Sequence, residues 1–343
     1  VKFTQNYWEA RENFQAAADR GGYRTLRFRI PHEESPDLFQ DYALLKRDPH
    51  RFLIHICGVH GIEGYAGSAI QCALLEKTRP ETGPSLLFIH AVNPLGMAFF
   101  RRANGENVDL NRNFRGGPAK PNPDYAFFSR YLNPSTRGDW WRGPLEAIWA
   151  KIRLGEERSG QAIASGQVTH PRGLFYMGRE IQREIHLIQE FLKAHVASAK
   201  EITCLDFHTG LGNGEMLIVD RAQRERDLPY FQPLFGQIWV PDPASKLYEN
   251  QGRFSDSVRS ALPNGNVHYL LQEIGTHGPT KTLGALRAEN WEWFRRKPGD
   301  PRPAKIQKAM LEAFCPGSAE WRQQTMKLGV ERYETLLQTF EQG

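Results

Sequence analysis

Apolar residues gather in short unbroken runs along the chain, each closed by glycine, proline or a charged side chain. RFLIHIC (51–57), SLLFIHAVNP (85–94), EITCLDFHTG (201–210), EMLIVD (215–220) and NVHYLLQEIGT (266–276) have the length and content of buried strands. Continuous rather than alternating apolarity suits strands covered on both faces. Directly after the first run, AGSAIQCALLEKT repeats apolar residues at helical spacing, which puts residues 58–64 on a strand-to-helix turn. Strands interleaved with helices predict an α/β fold with a largely parallel or mixed sheet between helices.

Residues from about 117 to 197 interrupt that alternation with KPNPDYAFFSRYLNP, three tryptophans (140, 141 and 149) and the amphipathic REIQREIHLIQEFLKAH. They read as a helical insertion that covers the cleft or forms an interface. Beyond 281, ALRAENWEWF, KIQKAMLEAF and WRQQTMKLGVERYETLLQTF read as surface helices, the first two joined by KPGDPRP. No composition break is strong enough to divide the chain. The expectation is one domain over 1–343, with its core at about 50–280.

Composition changes this picture little. With 343 residues, 24% charged and 40% hydrophobic, the chain is long enough for one well-buried α/β core. It has no repeat, no low-complexity tract and no apolar run long enough to cross a bilayer. The start, VKFTQNYWEARENF, lacks a basic-then-apolar secretory pattern, so a cytoplasmic protein is expected. A formal charge of +5 raises a nucleic-acid reading, but RFRI, RRAN and FRRKPGDPRPAK are short and separated. Neither nucleic acid nor membrane is expected as a partner, and the oligomeric state stays open. Cys57, Cys72, Cys204 and Cys315 form no C-x-x-C pair, which excludes an all-thiolate metal site.

The candidate chemistry stands at the strand ends. His60, Glu63, His208 and Glu273 fall at or just after the carboxyl ends of three runs, where open α/β sheets bind ligands. Two histidines and one carboxylate are a catalytic zinc set that leaves a position for water. His60 and Glu63 could reach one ion from the turn in GVHGIEGYAGS, and His208 from a neighbouring strand. Glu273 in LLQEIGT is the candidate base, and Arg102 or Arg101 the donor to an oxyanion. Asn111 with Arg112 suits capture of a carboxylate. Alone, H-x-x-E recurs in unrelated chains; His208 could be a core histidine and Arg112 a partner for Asp109. His55 and His90, inside strand runs, read as core. GLGNG (210–214) reads as a turn, or as an anion cradle.

In order, GVHGIEG, NPLG followed by RRAN, VDLNRNF, DFHTG and QEIGT resemble the zinc carboxypeptidases of the M14 (carboxypeptidase A-like) family, and within it the bacterial DUF2817 subgroup. The resemblance spans roughly residues 50–280. It implies one domain with a mixed, roughly eight-stranded twisted sheet. It also implies one zinc per chain held by His60, Glu63 and His208, Glu273 as general base and acid, and Arg102 at the oxyanion. Asn111 and Arg112 would bind the substrate's terminal carboxylate, and Asp109 would orient a zinc histidine. Tyr248 in KLYENQGRF, or more weakly Tyr176, would be the substrate-capping tyrosine. Asp206 would support His208 or bind another cation. His208 lies 148 residues after His60, and much of that gap is the helical insertion.

The implied activity is zinc-dependent cleavage of an amide next to a free carboxylate, as a carboxypeptidase acting on a small peptide or acyl-amino acid. An N-acyl amino acid deacylase is the alternative within the same chemistry. A non-catalytic binding protein on a peptidase scaffold is the alternative outside it, and the full set of ligands plus Glu273 speaks against that one.

Overall fold

The computed structural model of the chain describes residues 3–77, 79, 81–242 and 247–341. The chain opens with helix α1 (Tyr7–Arg20) and strands β1 (Arg24–Arg29), β2 (Phe39–Leu45) and β3 (Asp48–Cys57). Helix α2 (Gly64–Leu75), strand β4 (Pro84–His90) and the short α3 (Pro94–Ala98) follow. The region read as an insertion contains α4 (Tyr125–Leu132), α5 (Asp139–Leu154), α6 (Glu156–Ala164) and α7 (Arg183–His195). Then come β5 (Glu201–Thr209), β6 (Glu215–Ile218), α8 (Arg224–Phe235), α9 (Phe254–Ala261) and β7 (Asn266–Ile274). Helices α10 (Pro279–Trp293), α11 (Ala304–Phe314) and α12 (Ala319–Glu341) close the fold.

Among the described residues the strands form one seven-stranded mixed sheet in the order β1-β2-β4-β3-β5-β7-β6, where the resemblance implied roughly eight. β4, β3, β5 and β7 run parallel, and β1, β2 and β6 are attached antiparallel. The parallel strands are apolar on both sides because helices cover both. Successive residues serve opposite faces: Leu53, Leu86 and Phe207 join a core with α1, α2 and α12, while Ile54, Leu87 and Cys204 join one with α7 and α9. His55 and His90 are fully buried, as their strand positions imply.

Two strands have no counterpart in the sequence reading. β1 (RTLRFR) pairs only with β2, and Arg24, Arg27 and Arg29 lie along this edge. Charges on an edge strand discourage pairing with another chain, and here they hide the strand behind what reads as a basic run.

The parallel register fixes the functional edge. Cys57, the last residue of β3, pairs with Phe207, and His208 pairs with Glu273 on β7. Three adjacent carboxyl ends thus deliver their side chains to one place. The turn after β3 is held in close contact with the segment after β4. Gly58 has φ +73, and a Cβ on Gly61 would lie 2.1 Å from the Gly96 carbonyl carbon. Gly61 and Ile62 donate to the Arg102 and Arg101 carbonyls at 3.3 and 2.8 Å, so the His60–Glu63 turn and the two arginines move as one piece.

Candidate metal centre and cleft

His60, Glu63 and His208 converge, all buried, with ligand atoms within 4.8 Å of one another. The His60 and His208 Nδ1 atoms are 3.2 Å apart. His60 Nδ1 is 2.9 Å from Glu63 Oε1, and His208 Nδ1 is 3.1 Å from Glu63 Oε2. Each imidazole turns its other nitrogen to a separate aspartate: His60 Nε2 to Asp109 at 3.2 Å, His208 Nε2 to Asp206 at 2.9 Å. Both Nδ1 atoms are therefore the ones presented to the centre.

A zinc ion fits this set. Ligand bonds of about 2.0–2.1 Å in a tetrahedron need ligand atoms roughly 3.3 Å apart, close to the separations found. Aspartates behind both histidines are the support that metal-bound imidazoles need. The cluster also calls for positive charge. Burial works against a charged His208, yet Asp206 and Glu63 hold its pKa well above the usual range. Burial works against a charged Glu63 too, but His60 and His208 hold its carboxyl well below the usual range. A divalent cation meets the same demand.

These residues line a cavity of about 290 Å³ together with Arg102, Asn111, Arg112, Tyr248 and Glu273. Glu273 accepts from the Leu211 N–H at 2.8 Å. Burial first, then the Glu63 charge, push it up to about 8, against the pull of His208, this N–H and Arg102. The GLGNG loop is thus a shaped turn that offers one N–H to a carboxylate. Its Gly210, Gly212 and Gly214 all have positive φ, and Gly275 packs against it so closely that a Cβ would lie 2.5 Å from the Gly212 oxygen.

The two arginines separate cleanly. Arg102 faces the cavity and donates through Nε to Asp109 at 3.0 Å, with an NH1 contact to Glu63 at 3.4 Å. Arg101 is fully buried away from the cleft, bonded to Glu289 at 2.8 Å, to Asn107 at 2.7 Å and to the Asn104 carbonyl at 3.1 Å. Its guanidinium lies 3.9 Å from the Trp293 ring centre. Arg101 is a structural side chain.

Asn111 and Arg112 sit side by side on the 3-10 turn Leu110–Arg112. The Asn111 side-chain oxygen accepts from the Phe254 N–H at 3.1 Å, so its NH2 group remains for the cavity. Arg112 donates to Asp109, to the Ala164 carbonyl at 2.8 Å and to Asn250 at 3.4 Å, the last being its longest bond. Asp109 also pairs with His60 and Arg102. Burial would raise its pKa, but Arg102, Arg112 and His60 hold it well below the usual range.

Tyr248 reaches the cavity wall, its ring seated against Gly160 of α6 so closely that a Cβ there would lie 2.1 Å away. Tyr176 is buried in the core, its carbonyl accepting from the Asp109 N–H, and does not line the cavity. Asp206 is occupied by His208 and by the Tyr269 hydroxyl at 2.7 Å, which is the supporting role. His268 stacks on Tyr230 and His277 faces Glu312; neither lines the cavity.

Three contributors had no sequence signal. Phe175 (φ +60) places its ring 5.6 and 4.9 Å from the Arg102 and Arg112 guanidinium carbons. Asn250 holds Arg112, and Tyr269 holds Asp206. Ile163 and Ala164 line the cavity from α6, and Leu283, Leu286 and Phe314, which share one core cluster, make its lining apolar on another side.

Fold and centre define a one-domain α/β protein with a buried histidine–glutamate–histidine cluster at the carboxyl edge of its parallel strands. The chain belongs to the family described as Protein of unknown function (DUF2817), which it matches over residues 3–328. No curated protein matches it. Among solved structures it is similar to the carboxypeptidase A from Helicoverpa armigera, with TM-score 0.49 and 15% identity over 96% of this chain and 73% of that one. It is also similar to the murein-tripeptide amidase MpaA from Escherichia coli O157, with TM-score 0.40 and 16% identity over 82% and 97% of the two chains. A third is the succinylglutamate desuccinylase from Chromobacterium violaceum, with TM-score 0.37 and 13% identity over 92% and 76%.

Proposed function

We propose that the chain is a zinc-dependent hydrolase that cleaves an amide next to a free carboxylate, acting as a carboxypeptidase on a small peptide or acyl-amino acid. One observation carries the reading: the His60–Glu63–His208 cluster, Glu273, Arg102 and the Asn111–Arg112 pair line a single cavity. Zinc, when bound, supplies Lewis acidity and a nucleophile at neutral pH. His60, Glu63 and His208 are its ligands, and Asp109 and Asp206 fix the imidazole orientations.

The chain's own groups divide the remaining work. A cation beside Glu63 would offset the charge that raises Glu273, and the ionised Glu273 then takes the proton from the attacking water and returns it to the departing nitrogen. The Leu211 N–H at 2.8 Å fixes which carboxylate oxygen is free for that exchange. Arg102 donates to the oxygen that gains charge, already oriented by Asp109, so no reorientation is needed as charge develops. The Asn111 amide and the outer nitrogen of Arg112 hold the substrate carboxylate, with Asn250 exchanged for it.

The apolar lining from Leu283, Leu286 and Phe314 favours an apolar group on the substrate, so deacylation of an N-acyl amino acid is a second reading. The test is zinc content with hydrolysis of a matched set: N-acyl amino acids, dipeptides and their carboxamides. Expected is one zinc per chain and turnover only where the carboxylate is free. Equal turnover of the carboxamides would remove the carboxylate requirement, and no metal in a folded, zinc-supplied protein would remove the mechanism.

A further inference from the structure

The outer face of α5 carries five large apolar side chains in the open. Trp141 is 81% exposed, Leu145 69%, Ile148 58%, Trp149 55% and Ile152 80%. At 100° per residue they fall within an arc of about 100°. The opposite side of the same helix carries the buried Gly143 and Ala150. A Cβ on Gly143 would lie 2.8 Å from the Tyr131 Cα, so α5 is pressed tightly onto α4 by that side. The apolar stripe is therefore a fixed outer surface of a docked helix.

Basic residues lie beside it. Arg142, Lys151 and Arg153 of α5 are exposed; Lys151 is paired with Glu156 of α6 and the half-buried Glu146 with Arg130 of α4, which leaves Arg142 and Arg153 on the margin next to Trp149. Arg153 lies over the Trp149 and Phe127 rings at 5.4 and 5.8 Å, so basic and aromatic groups share one surface. Together the five side chains expose on the order of 700 Å² of largely apolar area, more than a monomer usually leaves in water. Two copies paired through α5 would bring the arginines of the margin together.

We infer that α5 docks the protein on an anionic phospholipid surface, with the Trp141–Ile152 stripe in the headgroup–acyl boundary and Arg142 and Arg153 against lipid phosphates. Tryptophan with aliphatic residues on one face and basic residues at its margins is the pattern of helices that lie in that boundary. No helix among the described residues is long and apolar enough to cross a membrane, which bears on spanning and not on surface docking. α5 leads directly into α6, whose Ile163 and Ala164 wall the cavity.

The experiment is sedimentation of the full chain with vesicles of phosphatidylglycerol and phosphatidylcholine, and with phosphatidylcholine alone, at low and high salt. Expected is binding to the anionic vesicles that weakens with salt. Trp141→Ser/Ile152→Ser should lower it roughly tenfold or more, and so should Arg142→Glu/Arg153→Glu, which leaves the stripe intact. Thermal midpoint and metal content should be unchanged in both. Failure to bind anionic vesicles would overturn the inference. A concentration-dependent dimer of the wild type that the Trp141→Ser/Ile152→Ser variant dissolves, without vesicle binding, would overturn it in favour of a second copy.

Discussion

His60 and His208 present their Nδ1 atoms to each other at 3.2 Å while their Nε2 atoms are held by different aspartates, Asp109 and Asp206. The two supports are not equivalent. Asp109 is shared with Arg102 and Arg112, and Asp206 with the neutral Tyr269 hydroxyl. Loss of Asp206 therefore releases His208 and Tyr269, whereas loss of Asp109 releases His60 and both arginines.

Asp206→Asn is expected to weaken zinc binding about 10–100-fold, measured by competition with a chromogenic chelator. Turnover at saturating zinc should fall far less. Asp109→Asn should lower both zinc affinity and substrate affinity. Equal behaviour of the two variants would contradict the division of roles.

Glu273→Gln preserves shape and leaves the three ligands in place. Zinc content should stay at the wild-type level while hydrolysis falls about 10²–10⁴-fold. Retained hydrolysis in the metal-loaded variant would assign the proton transfer to another group.

The neighbouring arginines should part on two readouts. Arg101→Met leaves Glu289 to Arg302 alone and takes the donor from the Asn107 side chain and the Asn104 carbonyl, and each buried acceptor left unpaired costs about 1–3 kcal/mol; the thermal midpoint should drop sharply. Arg102→Gln should instead reduce kcat about 10²–10³-fold with a smaller change in midpoint. A large loss of kcat in a folded Arg101→Met protein at low temperature would reverse the assignment.

His55 and His90 give stability a pH dependence below neutrality. Burial pushes each down to about 3, whereas in the unfolded chain each takes up a proton near pH 6.5. The unfolded state then binds more protons between those values. Their contribution is complete above pH 6.5 and is lost as pH falls from there toward 3, by about 1.4 kcal/mol per pH unit for each. Urea midpoints at pH 7, 6 and 5 should fall more steeply in the wild type than in His55→Gln/His90→Gln. Parallel slopes would mean that other groups carry the effect.

The centre was legible because it sits where sequence punctuation is strongest. Each ligand and Glu273 follows an apolar run that could only be a buried strand, and the motif order supplied their grouping. Asn111 and Arg112 could be named from the same order and Tyr248 only by its region upstream of Glu273; all three line the cavity. Phe175, Asn250 and Tyr269 could not, because nothing local marks a side chain whose partner lies far along the chain. Arg101 and Arg102 are alike in sequence, and only the packing of Trp293 and Glu289 separates them. β1 escaped notice because an edge strand with arginines on it lacks the apolar continuity that betrays an interior strand.

β3 and β5 lie side by side, yet their histidines are 148 residues apart, with helices α2 to α7 in between. Such a pairing is slow to form, because a long chain must be closed before the contact rewards it. The cleft therefore exists only once this distant strand pairing has closed, and a chain cut short before His208 carries just one histidine of the pair.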